Sequence, residues 1–99
     1  MALQLAVAIV QEEDADNAVD ALIARRLAVT RIATTGGYLK IGSATLLMAV
    51  DEEQLEVATE VLRSTCQRRE RVVSKGNGGK ATVGGAVVFL VKLEGLIRL

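Results

Sequence analysis

Histidine, proline and tryptophan are absent from this 99-residue chain, and cysteine, tyrosine and phenylalanine each occur once. A single cysteine excludes an intrachain disulfide, and without histidine a zinc motif cannot form, so any metal would need mainly carboxylate ligands. The lone Cys66 has no histidine to act as its base, and no motif pairs two carboxylates for acid–base chemistry. We therefore expect no metal, no cofactor and no enzymatic activity.

An excess of charge of one sign is also missing, because 12 basic residues balance 12 acidic ones. A neutral chain has no long-range field that would attract the phosphate backbone of a nucleic acid. RNA-binding domains that stack bases on a sheet need several exposed aromatic rings, and one tyrosine and one phenylalanine cannot supply them. These absences disfavour a nucleic-acid partner.

No apolar run reaches the length of about 18 residues that a membrane-spanning helix requires. The apolar start, residues 1–10, lacks the basic segment of a signal peptide and leads directly into Glu12, Glu13 and Asp14. A lone cysteine also fits a reducing compartment. We expect a cytoplasmic protein without a membrane span.

Apolar residues, by contrast, are abundant. Hydrophobic residues make up 51% of the chain before its nine glycines are counted, whereas an average globular domain reaches about 45–50% with glycine included. A domain of this size buries only about 60–65% of the surface of its unfolded chain. The surplus of apolar surface suggests a subunit interface.

Two helices are predicted from apolar residues spaced three and four apart. The first begins at an Asp14 cap and ends near the arginine pair at 25–26, and the second begins with a capping box of Asp51 and Gln54 and extends to about Cys66. Their apolar stripes are Ala15, Ala18, Val19, Leu22 and Ile23 in the first helix and Leu55, Ala58, Val61, Leu62 and Thr65 in the second.

Strands are predicted from alternating or β-branched apolar residues at 3–10, 29–35 and 44–50, followed by a brief strand at 71–74, a turn at 75–80 and a long strand at 82–93 that Gly84 and Gly85 interrupt. The order strand, helix, strand, strand, helix, strand predicts an α+β, ferredoxin-like βαββαβ sandwich with both helices on one face of an antiparallel sheet. Because the strands are apolar on both faces, assembly of several sheets around a common axis would cover the other face.

The segment TRIATTGGYLK, residues 30–40, combines hydrogen-bond donors, cations and one aromatic ring. Glycines after a strand can arrange backbone N–H groups into an anion-binding concavity, while hydroxyls and cations add further donors and the tyrosine ring can stack a base. Its candidate ligand-binding residues are Thr30, Arg31, Thr34, Thr35, Gly36, Gly37, Tyr38 and Lys40. The same pattern also fits an ordinary hairpin turn whose ring packs on the sheet edge.

Four stretches in chain order, AIVQ at 8–11, TRIATTGGYL at 30–39, STC at 64–66 and VGGAVVF at 83–89, resemble the PII-like cyclic di-AMP receptor family. The resemblance covers nearly the whole chain and implies one PII-like domain over residues 1–99. It further implies a homotrimeric signal-transduction protein with a nucleotide in each cleft between subunits, beside two loops that change order on binding. The positions that match the binding residues of the family are Thr30, Gly37, Tyr38 and Leu39.

Three departures from the family pattern concern this site. Ala28 stands where relatives commonly have an arginine, and Ser43, itself a candidate ligand contact, aligns with a loop asparagine, so a base-contacting cation and a bidentate amide would be missing. Residues 75–80 stand where relatives often insert a long, proline-containing loop after the second helix.

Two functions follow from these observations. The leading hypothesis is a regulatory protein that senses cyclic di-AMP or another adenine nucleotide. The alternative is a PII-like interaction protein that has lost nucleotide binding and docks onto an unknown protein target through its loops. Nucleotide bound in the clefts would favour the first, and a partner that co-purifies without nucleotide would favour the second.

Overall fold

The structure, a computed structural model, describes residues 3–34, 42–66, 68–72 and 80–99, and for residues 33–34, 68–72 and 80–84 it describes the backbone alone. In chain order the elements are β1 (Gln4–Gln11), α1 (Glu12–Ala24), β2 (Thr30–Thr34), β3 (Ser43–Val50), α2 (Glu52–Thr65), β4 (Arg68–Val72), β5 (Lys80–Gly84) and β6 (Ala86–Lys92).

Four of the strands form one antiparallel sheet in the order β2-β3-β1-β6. The central strand β1 pairs along its length with β3, from Gln4 opposite Val50 to Gln11 opposite Ser43, and on its other side with β6. β4 and β5 form a separate two-stranded sheet. The main sheet with its two helices is compatible with the predicted ferredoxin-like fold.

The hydrophobic core lies between the two helices and one face of this sheet. In β1 the side chains of Ala6, Ala8 and Val10 are buried, as are Leu46 and Met48 of β3. Successive side chains of a strand point to opposite faces, so the neighbours of these residues lie on the other face. That second face carries Leu5, Val7, Ile9, Leu47, Val87, Phe89 and Val91, which are half-buried or exposed in the single chain.

α1 begins two residues before the predicted cap. Its N-cap is Gln11, which makes no side-chain capping bond, and Asp14 is a buried residue of the first turn. β1 runs directly into the helix, and the backbone N–H of Glu12 donates to the Gly42 carbonyl oxygen at 3.1 Å. The predicted stripe also extends too far, because Ile23 is 56% exposed and the buried positions end at Leu22.

The C-terminus of α1 is closed by a Schellman motif. Arg26 adopts a left-handed conformation with φ of 64°. Its N–H donates to the Ile23 carbonyl at 2.8 Å, and the N–H of Leu27 donates to the Leu22 carbonyl at 3.1 Å. Leu22 and Leu27 are both buried in the core, which is the hydrophobic contact that accompanies this motif.

α2 begins with the capping box that the sequence predicts. The Gln54 N–H donates to the Asp51 Oδ1 at 2.8 Å, and the Asp51 N–H donates to the Gln54 Oε1 at 3.0 Å. Ala58, Val61 and Leu62 are buried along one stripe, and the helix ends at Thr65 with Cys66 as its C-cap. Both ends of this helix are therefore as expected.

The long strand predicted at 82–93 is two strands in two different sheets. β5 ends at Gly84, Gly85 has a positive φ of 68°, and β6 begins at Ala86 beside β1. The left-handed residue redirects the chain from the small sheet into the large one, and glycine adopts this conformation without steric cost. The brief strand predicted at 71–74 is found at Arg68–Val72, and most of the predicted turn, residues 75–79, lies outside the described residues.

Candidate functional site

The predicted ligand loop leaves β2 after Thr34 and returns to β3 at Ser43. These two residues face each other in the β2–β3 pair, so the ends of the loop are adjacent. Six candidate residues lie outside the described residues: Thr35, Gly36, Gly37, Tyr38, Leu39 and Lys40. The structure describes the residues on either side of the loop, which we call the loop base: Thr34 at the end of β2, Gly42, and Ser43 at the start of β3.

A backbone hydrogen bond and close packing connect this loop base to the start of α1. In addition to the bond from the Glu12 N–H to the Gly42 carbonyl, a Cβ placed on Gly42 would lie 3.2 Å from Glu12 Oε2. Ser43 pairs with Gln11 in the β1–β3 ladder, and both side chains are buried. The candidate contact Ser43 therefore lies within the packed base, where the glycine at 42 lets the helix start approach closely.

Arg31 is held by acidic residues of α1. Its Nη1 donates to Asp16 Oδ1 at 2.5 Å, and its Nη2 lies 3.8 Å from Glu12 Oε1. The Arg31 side chain is 33% exposed, so solvent screens the pairs and each stabilises by about 1 kcal/mol or less. Arg31 neutralises part of the negative charge at the start of α1, and its predicted contact with a ligand phosphate stays a prediction.

Thr30 lies on the opposite face of β2 from Arg31, because consecutive strand residues alternate. It lines a groove of about 500 Å³, which we name the tail groove, between the C-terminal segment after β6 and the strands β1, β2 and β3. The other lining residues are one cation, Arg98, and a set of apolar residues: Leu3, Leu5, Ala28, Val29, Leu47, Met48, Ala49 and Leu96. The structure thus brings Thr30 and Arg98 to one groove and separates both from Arg31.

Arg98 and Leu96 are residues that the sequence analysis did not select. Nothing in the local pattern near the C-terminus indicates proximity to Thr30. The pairing of β1 with β6 on one side and with β3 on the other brings the two chain segments to the same end of the sheet. A correct register for all four strands would have been needed to find this groove.

A second groove of about 430 Å³ lies between α2 and the start of β6, lined by Thr59, Leu62, Arg63, Cys66, Gly85, Ala86 and Val88. Cys66 is buried, and its Sγ lies 3.6 Å from Thr65 Oγ1.

Within the described ranges, no group of three histidine, cysteine, aspartate or glutamate side chains could hold a metal ion. No helix in the described part of the chain is long and apolar enough to cross a bilayer.

Comparison with known proteins identifies a family for this arrangement. Residues 3–99 match the family model described as cyclic-di-AMP receptor. The chain is also similar to the crystal structure of a functionally unknown protein from Pediococcus pentosaceus ATCC 25745, with a TM-score of 0.79 and 31% sequence identity. That similarity covers 100% of this chain and 99% of the other.

Proposed function

Because this chain belongs to the cyclic-di-AMP receptor family, which is PII-like, we propose that it is a signal-transduction protein that senses a small nucleotide, cyclic di-AMP, in clefts between the subunits of a homotrimer. It acts by binding rather than by catalysis. We further propose that it works in the cytoplasm, where it passes the state of its cleft to a protein target.

The observation that carries this proposal is the location of Thr30. Thr30 matches a binding position of the family and lines a groove whose walls are apolar apart from its own hydroxyl and the Arg98 guanidinium, among the described residues. Apolar walls suit the face of a nucleobase, and hydroxyl and guanidinium groups suit phosphate oxygens. The predicted ligand loop follows the opposite end of β2, after Thr34.

The trimer in this proposal is supported by the open face of the main sheet. Val87, Phe89 and Val91 of the edge strand β6 are between 47% and 53% exposed. Together with Leu5 and Val7 of β1 they form a continuous apolar surface, which monomeric proteins rarely leave in water. Thr30 and Leu47 lie on this same face. A neighbouring chain that covers the face would therefore also form one side of the tail groove.

The test is isothermal titration calorimetry of the purified protein with cyclic di-AMP, cyclic di-GMP, ATP, ADP and AMP, together with light scattering of the eluate from a size-exclusion column. We expect saturable binding of cyclic di-AMP and the mass of three chains. Absence of binding across the whole panel would contradict the sensor function, and a monomeric mass would contradict the shared cleft.

The alternative, a PII-like interaction protein without nucleotide binding, is favoured by two observations. Arg31 is engaged by Asp16 and Glu12, and Ala28 contributes only a methyl group to the tail groove. Fewer cations are then available for a phosphate. Co-purification of a protein partner from cell extract, with no nucleotide released on denaturation of the complex, would support this alternative over the sensor.

A further inference from the structure

The C-terminal segment, residues 93–99, continues from β6 along the end of the sheet. The N–H of Leu93 donates to the Leu3 carbonyl at 3.1 Å. Since Gln4 pairs with Lys92 in the β1–β6 ladder, this bond extends the same antiparallel register by one pair. The position of the segment is therefore set by the sheet at its first residue.

Beyond that bond the segment presents alternate residues to the tail groove. Leu96 and Arg98 line the groove. Ile97, between them, is 84% exposed, and Leu99 is fully exposed. A spacing of two residues is that of an extended chain, in which successive side chains point to opposite sides. Leu96 and Arg98 therefore lie on the side of the segment that borders the groove, and both are also exposed to solvent.

The groove offers one charged group and one hydroxyl among the described residues that line it. Both described ion pairs of the chain belong to Arg31, and Arg98 has no described hydrogen bond or ion pair. A guanidinium at the border of an apolar groove gains most from a ligand that brings its own negative charge, and its fork of donors matches phosphate oxygens. The neighbouring wall of leucine, valine and alanine side chains offers an apolar surface to a ring.

We propose that Arg98 is the phosphate-binding cation of the tail groove and that Thr30 donates its hydroxyl hydrogen to the same phosphate. This inference rests on the proposed nucleotide-sensing function and deepens it, since it adds a charge contact from the C-terminal segment to those proposed near the ligand loop. The ligand class is a nucleotide whose base lies against the apolar wall. Adenosine lacks the phosphate, so its affinity should not depend on Arg98.

The experiment compares the wild-type protein with Arg98→Gln, Arg98→Lys and Thr30→Val in calorimetric titrations with cyclic di-AMP and with adenosine. Arg63→Gln is the matched control, because it removes the same charge from the other groove. For cyclic di-AMP we expect Arg98→Gln to raise the Kd by about ten- to a hundredfold, since a hydrogen bond to a charged group is lost. Arg98→Lys should recover part of that loss, and Arg63→Gln should bind like the wild type.

The outcomes separate this inference from the function on which it rests. Wild-type binding of cyclic di-AMP together with an unchanged Kd for Arg98→Gln would overturn the role of Arg98 and leave the sensor function intact. Equal losses for Arg98→Gln and Arg63→Gln would also overturn it, because net charge alone would then explain the effect. If the wild type binds no nucleotide, both the proposed function and this inference fail. Thermal unfolding of each variant checks that the fold is retained.

Discussion

Arg31 of β2 and Asp16 of α1 form an ion pair that joins the strand before the ligand loop to the helix that follows β1, with the Arg31 Nη1 2.5 Å from the Asp16 Oδ1. Glu12, whose backbone anchors Gly42 at the end of the loop, lies on the same guanidinium. One cation thus faces both the acidic start of α1 and the base of the proposed anion site.

From this arrangement we predict that Asp16→Asn strengthens the binding of cyclic di-AMP by about two- to fivefold, the range that corresponds to one exposed ion pair. The substitution removes a negative charge near the loop and releases Arg31 for the ligand. Asp20→Asn, on the exposed side of the same helix, is the control for net charge. Calorimetry measures both, and equal effects of the two substitutions would contradict a role for the ion pair.

Tyr38 should contribute by stacking on a base of the ligand. We predict that Tyr38→Ala weakens the binding of cyclic di-AMP by about 1–3 kcal/mol, the range for one base on an aromatic ring. Tyr38→Phe keeps the ring and should bind nearly as well as the wild type. If both variants bind equally well, the ring does not contact the base, and the hairpin interpretation of the double glycine gains support.

Phe89 should hold the assembly together through the open face of the sheet. We predict that Phe89→Asp lowers the mass measured by light scattering to that of one chain, because a carboxylate cannot be buried there without a partner. Ile23→Asp is the matched control, since Ile23 is 56% exposed and Phe89 53%, but Ile23 lies on a helix. A trimer that survives Phe89→Asp would place the interface elsewhere.

Arg26 occupies a backbone conformation that normally favours glycine. A left-handed residue with a Cβ costs about 1–2 kcal/mol. Glycine removes this cost, but its greater conformational freedom in the unfolded chain offsets about 0.5–1 kcal/mol of the gain. We therefore predict that Arg26→Gly raises the free energy of unfolding by about 0.5–1 kcal/mol.

Arg25→Gly is the control for this substitution, because Arg25 has a φ of −93° and needs no glycine. It should lower the free energy of unfolding by about 0.5–1 kcal/mol. Urea denaturation at equilibrium measures both variants. Destabilisation by Arg26→Gly would contradict the Schellman assignment.

Local chemistry made much of the fold predictable. Asp51 and Gln54 are three residues apart, so their mutual hydrogen bonds need no other part of the chain, and the start of α2 was predicted correctly. The alternation of apolar residues in β1 likewise follows from the geometry of a single strand. The start of α1 was misplaced because Asp14 has the chemistry of a cap, whereas the turn from β1 and the Gly42 carbonyl determine where the helix begins.

The sequence by itself determined the order of strands and helices and indicated the family, because each depends on patterns among residues close together in the chain. Only the tertiary structure decided that Gly85 divides one apolar stretch between two sheets, that Arg31 pairs with Asp16, and that Arg98 shares a groove with Thr30. These relationships depend on strand register and helix packing. Both join residues far apart in the chain, where no local spacing reports their distance.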